Sequence, residues 1–191
     1  MAGGGVVGDV CKVMGRRCHM YDVNPVRKDI AKYDLVKQQG LFLPKEAENA
    51  DLIFWDPPYY KKKKEEYGPQ SISSLPRKEY LEVFEEGAKA FAKKRVKKVA
   101  LLISNYDNDG RYNNGHLGEE EEEEEENNIF IHHYINQFEK TGKWRVCRMI
   151  DCPFSSKQIS SPIAAHCLKS KKMARLSRYL VIFVRRREHQ I

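Results

Sequence analysis

No apolar stretch in these 191 residues approaches the ~18 residues that a membrane-spanning helix needs. The opening lacks a charged segment followed by an apolar one, which argues against a secretory leader. Cysteine is sparse: the five residues, at 11, 18, 147, 152 and 167, form no CxxC pair and no zinc-type spacing. They read as reduced, mostly buried thiols of a cytoplasmic protein. The six histidines are scattered, or adjacent as His132-His133, whose side chains should diverge on a helix. No metal site is expected. Internal repeats are missing, and the length suits one domain spanning 1–191 rather than two with a linker.

Charge is abundant, and its distribution matters more than its sum. The formal net charge is +7, but residues 119–126 are eight consecutive glutamates, and without them it would be +15. Blocks of like charge repel, so 107–128 is expected to be a disordered acidic surface insertion. An arm competing with nucleic acid for a basic face is the alternative. The positive remainder suggests a polyanionic partner.

One tetrapeptide carries the most chemistry. Residues 51–55 form an apolar run that ends in Asp56-Pro57-Pro58-Tyr59. Two prolines cannot continue a hydrogen-bonded strand, and Pro57 biases Asp56 toward extended backbone. A stiff turn results at a strand's carboxyl end, where open α/β sheets place ligands. Its carboxylate and bare carbonyls suit an exocyclic amine, and Tyr59 offers a face on which a flat base can stack. A plain surface turn is the competing reading of these four residues alone. Upstream, Ala2-Gly3-Gly4-Gly5 precede a helical segment, and Asp22 follows Gly5 by seventeen positions at the end of a short strand-like run. Glycines before a helix let backbone N–H groups approach a ligand, and an acid about 20 residues later can accept from ribose hydroxyls.

In this order the Gly-rich loop, Asp22 and Asp56-Pro57-Pro58-Tyr59 resemble the amino-methyltransferases of nucleic-acid bases, the DNA adenine-N6 enzymes above all. The resemblance extends over nearly the whole chain. It implies a doubly wound, mostly parallel α/β sheet of the Rossmann-like methyltransferase class, with S-adenosylmethionine (SAM) as cofactor and DNA ahead of RNA as partner. It assigns Asp56, Pro57, Pro58 and Tyr59 to catalysis, and Ala2, Gly3, Gly5, Asp22 and Asp34 to the cofactor. For Asp34 a solvated strand-end acid is equally expected. Lys61, Lys62, Lys63 and Lys64 would neutralise phosphates beside the base pocket, or simply form a solvated loop. RNA methylation at guanine N2 or adenine N6 is the first alternative, and a catalytically idle nucleic-acid-binding member the second. The resembled family has a central strand ending in Asp-Pro before its glycine loop. Here Met1 stands just after that position, so the central strand is expected to be missing.

The remaining pattern alternates strands and helices. A helix over 6–14 should stop at Gly15, strands should cover 18–22, 29–35 and 51–55, and a helix should run from about 75 to 94 with Ser74 as cap and Pro76 in its first turn. The apolar run 99–103 reads as a central parallel strand. Ile131, Tyr134, Ile135 and Phe138 mark a further helix, and strands near 144–150 and 178–185 complete the sheet. Polar and basic groups at 155–158 and 169–175, and Arg185 to Arg187, read as surface segments.

Overall fold

The apolar run at 99–103 forms the strand around which the larger sheet is built. The structure, a computed structural model, describes residues 2–34, 43–61, 71–106, 128–153 and 177–186. Lys62 to Lys64, the glutamate run, and 155–158 and 169–175 lie outside the described residues, as does Arg187. In chain order the elements are α1 (Val6–Val13), β1 (Met20–Asp22), β2 (Ile30–Lys32), β3 (Ile53–Trp55), α2 (Arg77–Lys93), β4 (Lys98–Ile103), α3 (Ile131–Glu139), β5 (Trp144–Pro153) and β6 (Ser177–Arg185). Short 3-10 turns occupy Lys45–Ala47 and Ile72–Ser74.

The chain is α/β, with two sheets among the described residues. β1 and β2 pair in parallel as a two-stranded sheet, and a four-stranded sheet has the order β3-β4-β6-β5. β3 runs parallel to β4, whereas β4 with β6 and β6 with β5 are antiparallel. The mostly parallel character expected from strand–helix alternation therefore holds through β4 and ends there. β4 has one parallel and one antiparallel neighbour, because β6 returns between β4 and β5.

Most elements match the sequence pattern, and the differences have local causes. Gly15, at φ 63°, follows α1 as its stop, since glycine adopts left-handed backbone without a Cβ clash. Ser74 does not cap α2. It is spent in the Ile72–Ser74 turn, itself capped by the Ser71 hydroxyl, which accepts from the Ser73 N–H. Leu75 and Pro76 then run extended, so Pro76 is the residue before the helix rather than in its first turn. The His132 and His133 rings do not diverge; their centroids are 4.0 Å apart. His133 folds back so that its Nδ1 accepts the Phe130 N–H at 2.9 Å, capping α3 and drawing the rings together. None of the four described cysteines is buried: Cys18 and Cys147 are exposed, and Cys11 and Cys152 are intermediate. α1 presents Val6, Val10 and Val13 to solvent, and β5 is an edge strand with most residues exposed, so thiols on these elements stay near water.

The core lies between the four-stranded sheet and the helix pair α2–α3. Phe84, Ala88 and Phe91 of α2, Tyr134 and Phe138 of α3, and Leu101, Ile103, Val181 and Phe183 of the sheet are buried. Phe138 stacks on Phe183 with centroids 4.1 Å apart. The buried Trp144 donates its Nε1–H to the Ala88 carbonyl at 2.8 Å, which satisfies its one polar atom. Gly87 has a steric reason: a Cβ there would meet the Trp55 ring at 2.8 Å. Among the described residues, no helix is long and apolar enough to cross a membrane.

Candidate functional site

The Asp-Pro-Pro-Tyr turn is pinned at both ends by buried aromatics. Trp55 closes β3 and packs against Phe84 and Phe91, with centroids at 5.0 and 5.4 Å. Tyr60, also buried, contacts the Tyr80 and Tyr106 rings, each at 5.1 Å. Between them Asp56 to Tyr59 have little freedom to move. Tyr80 fixes the middle of the turn, donating its hydroxyl hydrogen to the Pro58 carbonyl at 3.1 Å. That engages the Pro58 oxygen and makes Pro57 the proline whose carbonyl is the candidate acceptor for a ligand. Pro57 itself is buried and Pro58 is half-buried.

Asp56 is partly buried, and burial raises its pKa above the ordinary aspartate value. The Tyr59 hydroxyl and the positive charge of Arg178 oppose that rise. Tyr59 donates to Asp56 Oδ1 at 3.1 Å. Its own pKa is raised, first by burial and then by the neighbouring Asp56 charge. The two residues expected to act together therefore touch. Lys61 continues from the turn in left-handed backbone (φ 48°) and donates its N–H to the Ser73 carbonyl at 2.9 Å. Its ammonium stands 5.2 Å from the centre of the Tyr60 ring, a cation–π distance.

The five residues expected at the cofactor gather at the start of α1 and the carboxyl ends of β1 and β2. Ala2 donates its N–H to the Tyr21 carbonyl at 3.0 Å, and Gly3 donates to Asp22 Oδ2 at 3.0 Å. Asp22 Oδ1 accepts from the Asn24 N–H, also at 3.0 Å. Burial would raise the Asp22 pKa, but donors that include the Asn24 and Gly3 N–H groups outweigh it and lower the value. The Tyr33 N–H donates to the Asp22 carbonyl at 2.8 Å, which brings Asp34 to the same end of the sheet. Gly5, at φ 81°, precedes the first turn of α1.

The residues present fit the sugar-binding half of a nucleoside cofactor. Among the described residues, a Cβ on Gly3 or Gly4 would meet nothing within 4 Å, which leaves room for a ligand against that backbone. The Gly3 and Asn24 N–H groups hold the Asp22 carboxylate beside that backbone, and a carboxylate there suits ribose hydroxyls. Gly5 differs, because a Cβ there would lie 2.6 Å from the Arg27 guanidinium. Its smallness admits Arg27.

Three residues at these sites had no signal in the sequence. Arg27 donates to Asp9 through both terminal nitrogens at 2.7 and 2.8 Å, to Asp29 at 2.7 and 3.0 Å, and to the Gly4 carbonyl at 3.1 Å. It ties α1, the glycine loop and the approach to β2 together. Its partners lie 18 and 23 positions upstream as well as next door, so no local motif marks it. Tyr80 looks like one more core aromatic of α2, and Arg178 belongs to a strand 122 positions after Asp56. The catalytic and cofactor candidates lie on different sheets. Among the described residues, no strand pair joins β1–β2 to β3. No family model, curated protein or solved structure matches the chain.

Proposed function

We propose that the protein is a SAM-dependent amino-methyltransferase acting on the exocyclic N6 amine of adenine in DNA, in the cytoplasm. The observation that carries this reading is the rigid turn at the end of β3. There a partly buried Asp56 stands beside Tyr59 and next to the Pro57 carbonyl. An aromatic amine is a weak nucleophile because its lone pair is delocalised into the ring. Asp56 and the Pro57 carbonyl each accept one N–H, which turns the lone pair out of conjugation and stabilises charge developing on nitrogen. The ring of Tyr59 compensates part of the stacking lost when the base leaves the helix. Asp56 is an acceptor rather than a strong base, since the amine becomes acidic only after methylation.

Gly3, Gly4 and Asp22 would hold the cofactor's sugar, and Asp34 its base. When bound, SAM supplies an activated methyl on a sulfonium, so alignment is the protein's main task. The strand order supports the doubly wound reading: β1 and β2 form one parallel pair, and β3 and β4 another. A strand between β1 and β3 would join the two, and the described residues supply none. The second reading is an idle member that keeps the turn and binds nucleic acid without methyl transfer.

Incubation with methyl-tritiated SAM and unmethylated DNA or RNA decides among these. Label at adenine N6 of DNA is expected. Label confined to RNA moves the substrate to RNA, and no label together with no SAM binding leaves the idle member. Asp56→Ala should lower the transfer rate by about 10²-fold or more while SAM affinity stays near wild type. A variant with near-normal turnover would remove Asp56 from the mechanism.

A further inference from the structure

We propose that Arg178 is a positioning residue of this site, holding Tyr59 and Asp56 in their working geometry. The inference rests on the reading of Asp56 as the amine acceptor. It begins with sheet register. β6 enters the sheet at the end where the parallel strands leave it: Ile103, the last residue of β4, pairs with Tyr179, and Leu101 pairs with both Trp55 and Val181. Asp56 follows Trp55 and Arg178 precedes Tyr179, so both project at the same end of the sheet. They stand on either side of β4, two strand spacings or roughly 10 Å apart across the sheet, with Arg178 two residues further along. An arginine and a tyrosine side chain can close that distance between them.

The contacts run in one direction. Arg178 lies close enough to Tyr59 to act on its hydroxyl, and Tyr59 donates to Asp56 Oδ1 at 3.1 Å. A guanidinium can only donate, and a phenol has one hydrogen. Arg178 can therefore act on the Tyr59 oxygen only as a donor, and the phenol hydrogen goes to Asp56. Two consequences follow. The Tyr59 ring is held at its far end, which fixes the face offered to a base. Tyr59 engages Asp56 at Oδ1, which leaves Oδ2 as the oxygen to meet an amine. The Arg178 charge also favours the ionised carboxylate in a site whose burial works against it. Arg178 Nε is shielded from solvent, so this charge is less screened than that of a surface arginine.

The test is the titration of the Asp56 carboxyl, followed by carbon-13 NMR in the full chain and independent of any methyl acceptor. Arg178→Gln should move that titration upward by about one pH unit, and Arg178→Lys, which retains the charge, by much less. In the methyl-transfer assay Arg178→Gln should lower kcat about tenfold with the KM for SAM unchanged. If Arg178→Gln does not fold, Arg178→Lys and Tyr59→Phe serve. The proposal then requires Tyr59→Phe to raise the Asp56 titration and Arg178→Lys to leave it near wild type. An Asp56 titration that ignores loss of Arg178, or of Tyr59 in the fallback pair, overturns the proposal. Absence of methyl transfer in the wild type retires the proposed function instead, and the titration still decides the role of Arg178.

Discussion

Asp56 is subject to opposing demands. As an amine acceptor it must be ionised, yet its surroundings raise its pKa. For a carboxyl raised in the fold, the stabilising contribution is present below the ordinary aspartate pKa and is lost as pH rises through the raised value. At neutral pH the ionised Asp56 is therefore a net cost to stability. Asp56→Asn removes that cost and should raise Tm in thermal melts at pH 7 while methyl transfer falls by about 10²-fold. A lower Tm would mean that the carboxylate supports the fold. The acid limb of the kcat/KM profile should lie above the ordinary aspartate range, and Tyr59→Phe should push it further up by removing the donor to Oδ1. An acid limb that Tyr59→Phe leaves in place would show that this hydrogen bond does not hold Asp56 ionised.

Elements are held here by single residues at close approaches. α2 lies against Trp55 because position 87 has no side chain. Gly87→Ala sets a methyl 2.8 Å from the ring, too close for a carbon–carbon contact, and helix propensity does not offset the overpacking. A loss of about 1–3 kcal/mol in urea denaturation is expected. A neutral result would mean that Trp55 can move without disturbing Asp56. At the other sheet Arg27 clamps α1 and β2 through Asp9 and Asp29, and both carboxyls are lowered, first by its hydrogen bonds. For lowered carboxyls the stabilising contribution is present above their ordinary pKa and is lost as pH falls through the depressed values. Arg27→Ala should therefore lower Tm at pH 7, and the difference from wild type should close as pH falls through the depressed values. A pH-independent difference would assign Arg27's effect to packing.

For the molecule as a whole, charge is the property most open to experiment. A chain of formal charge +7 that carries eight consecutive glutamates becomes +15 without them. Nucleic-acid affinity should fall steeply with salt, and deletion of residues 119–126 should strengthen it with the circular dichroism spectrum unchanged. Binding that ignores salt, or loss of the fold on deletion, would exclude a basic face opposed by an acidic arm.

The amino-acid sequence determined whatever depends on neighbours along the chain. The apolar run at 99–103, the helical spacing of Leu81, Phe84, Ala88 and Phe91, and the stop at Gly15 are local and were legible. So was the Pro57-Pro58 turn, because two missing N–H groups end a strand in any fold. The tertiary structure decided everything that joins distant residues. It returned β6 between β4 and β5, which is why Arg178 stands near Asp56. It committed the Pro58 carbonyl to Tyr80 and filled the space at Gly5 with Arg27. It also left β1 and β2 unjoined to β3 among the described residues. Periodicity reports which face of an element is apolar, but not which element will cover it. Strand order and side-chain partners are settled only when packing selects among the faces available.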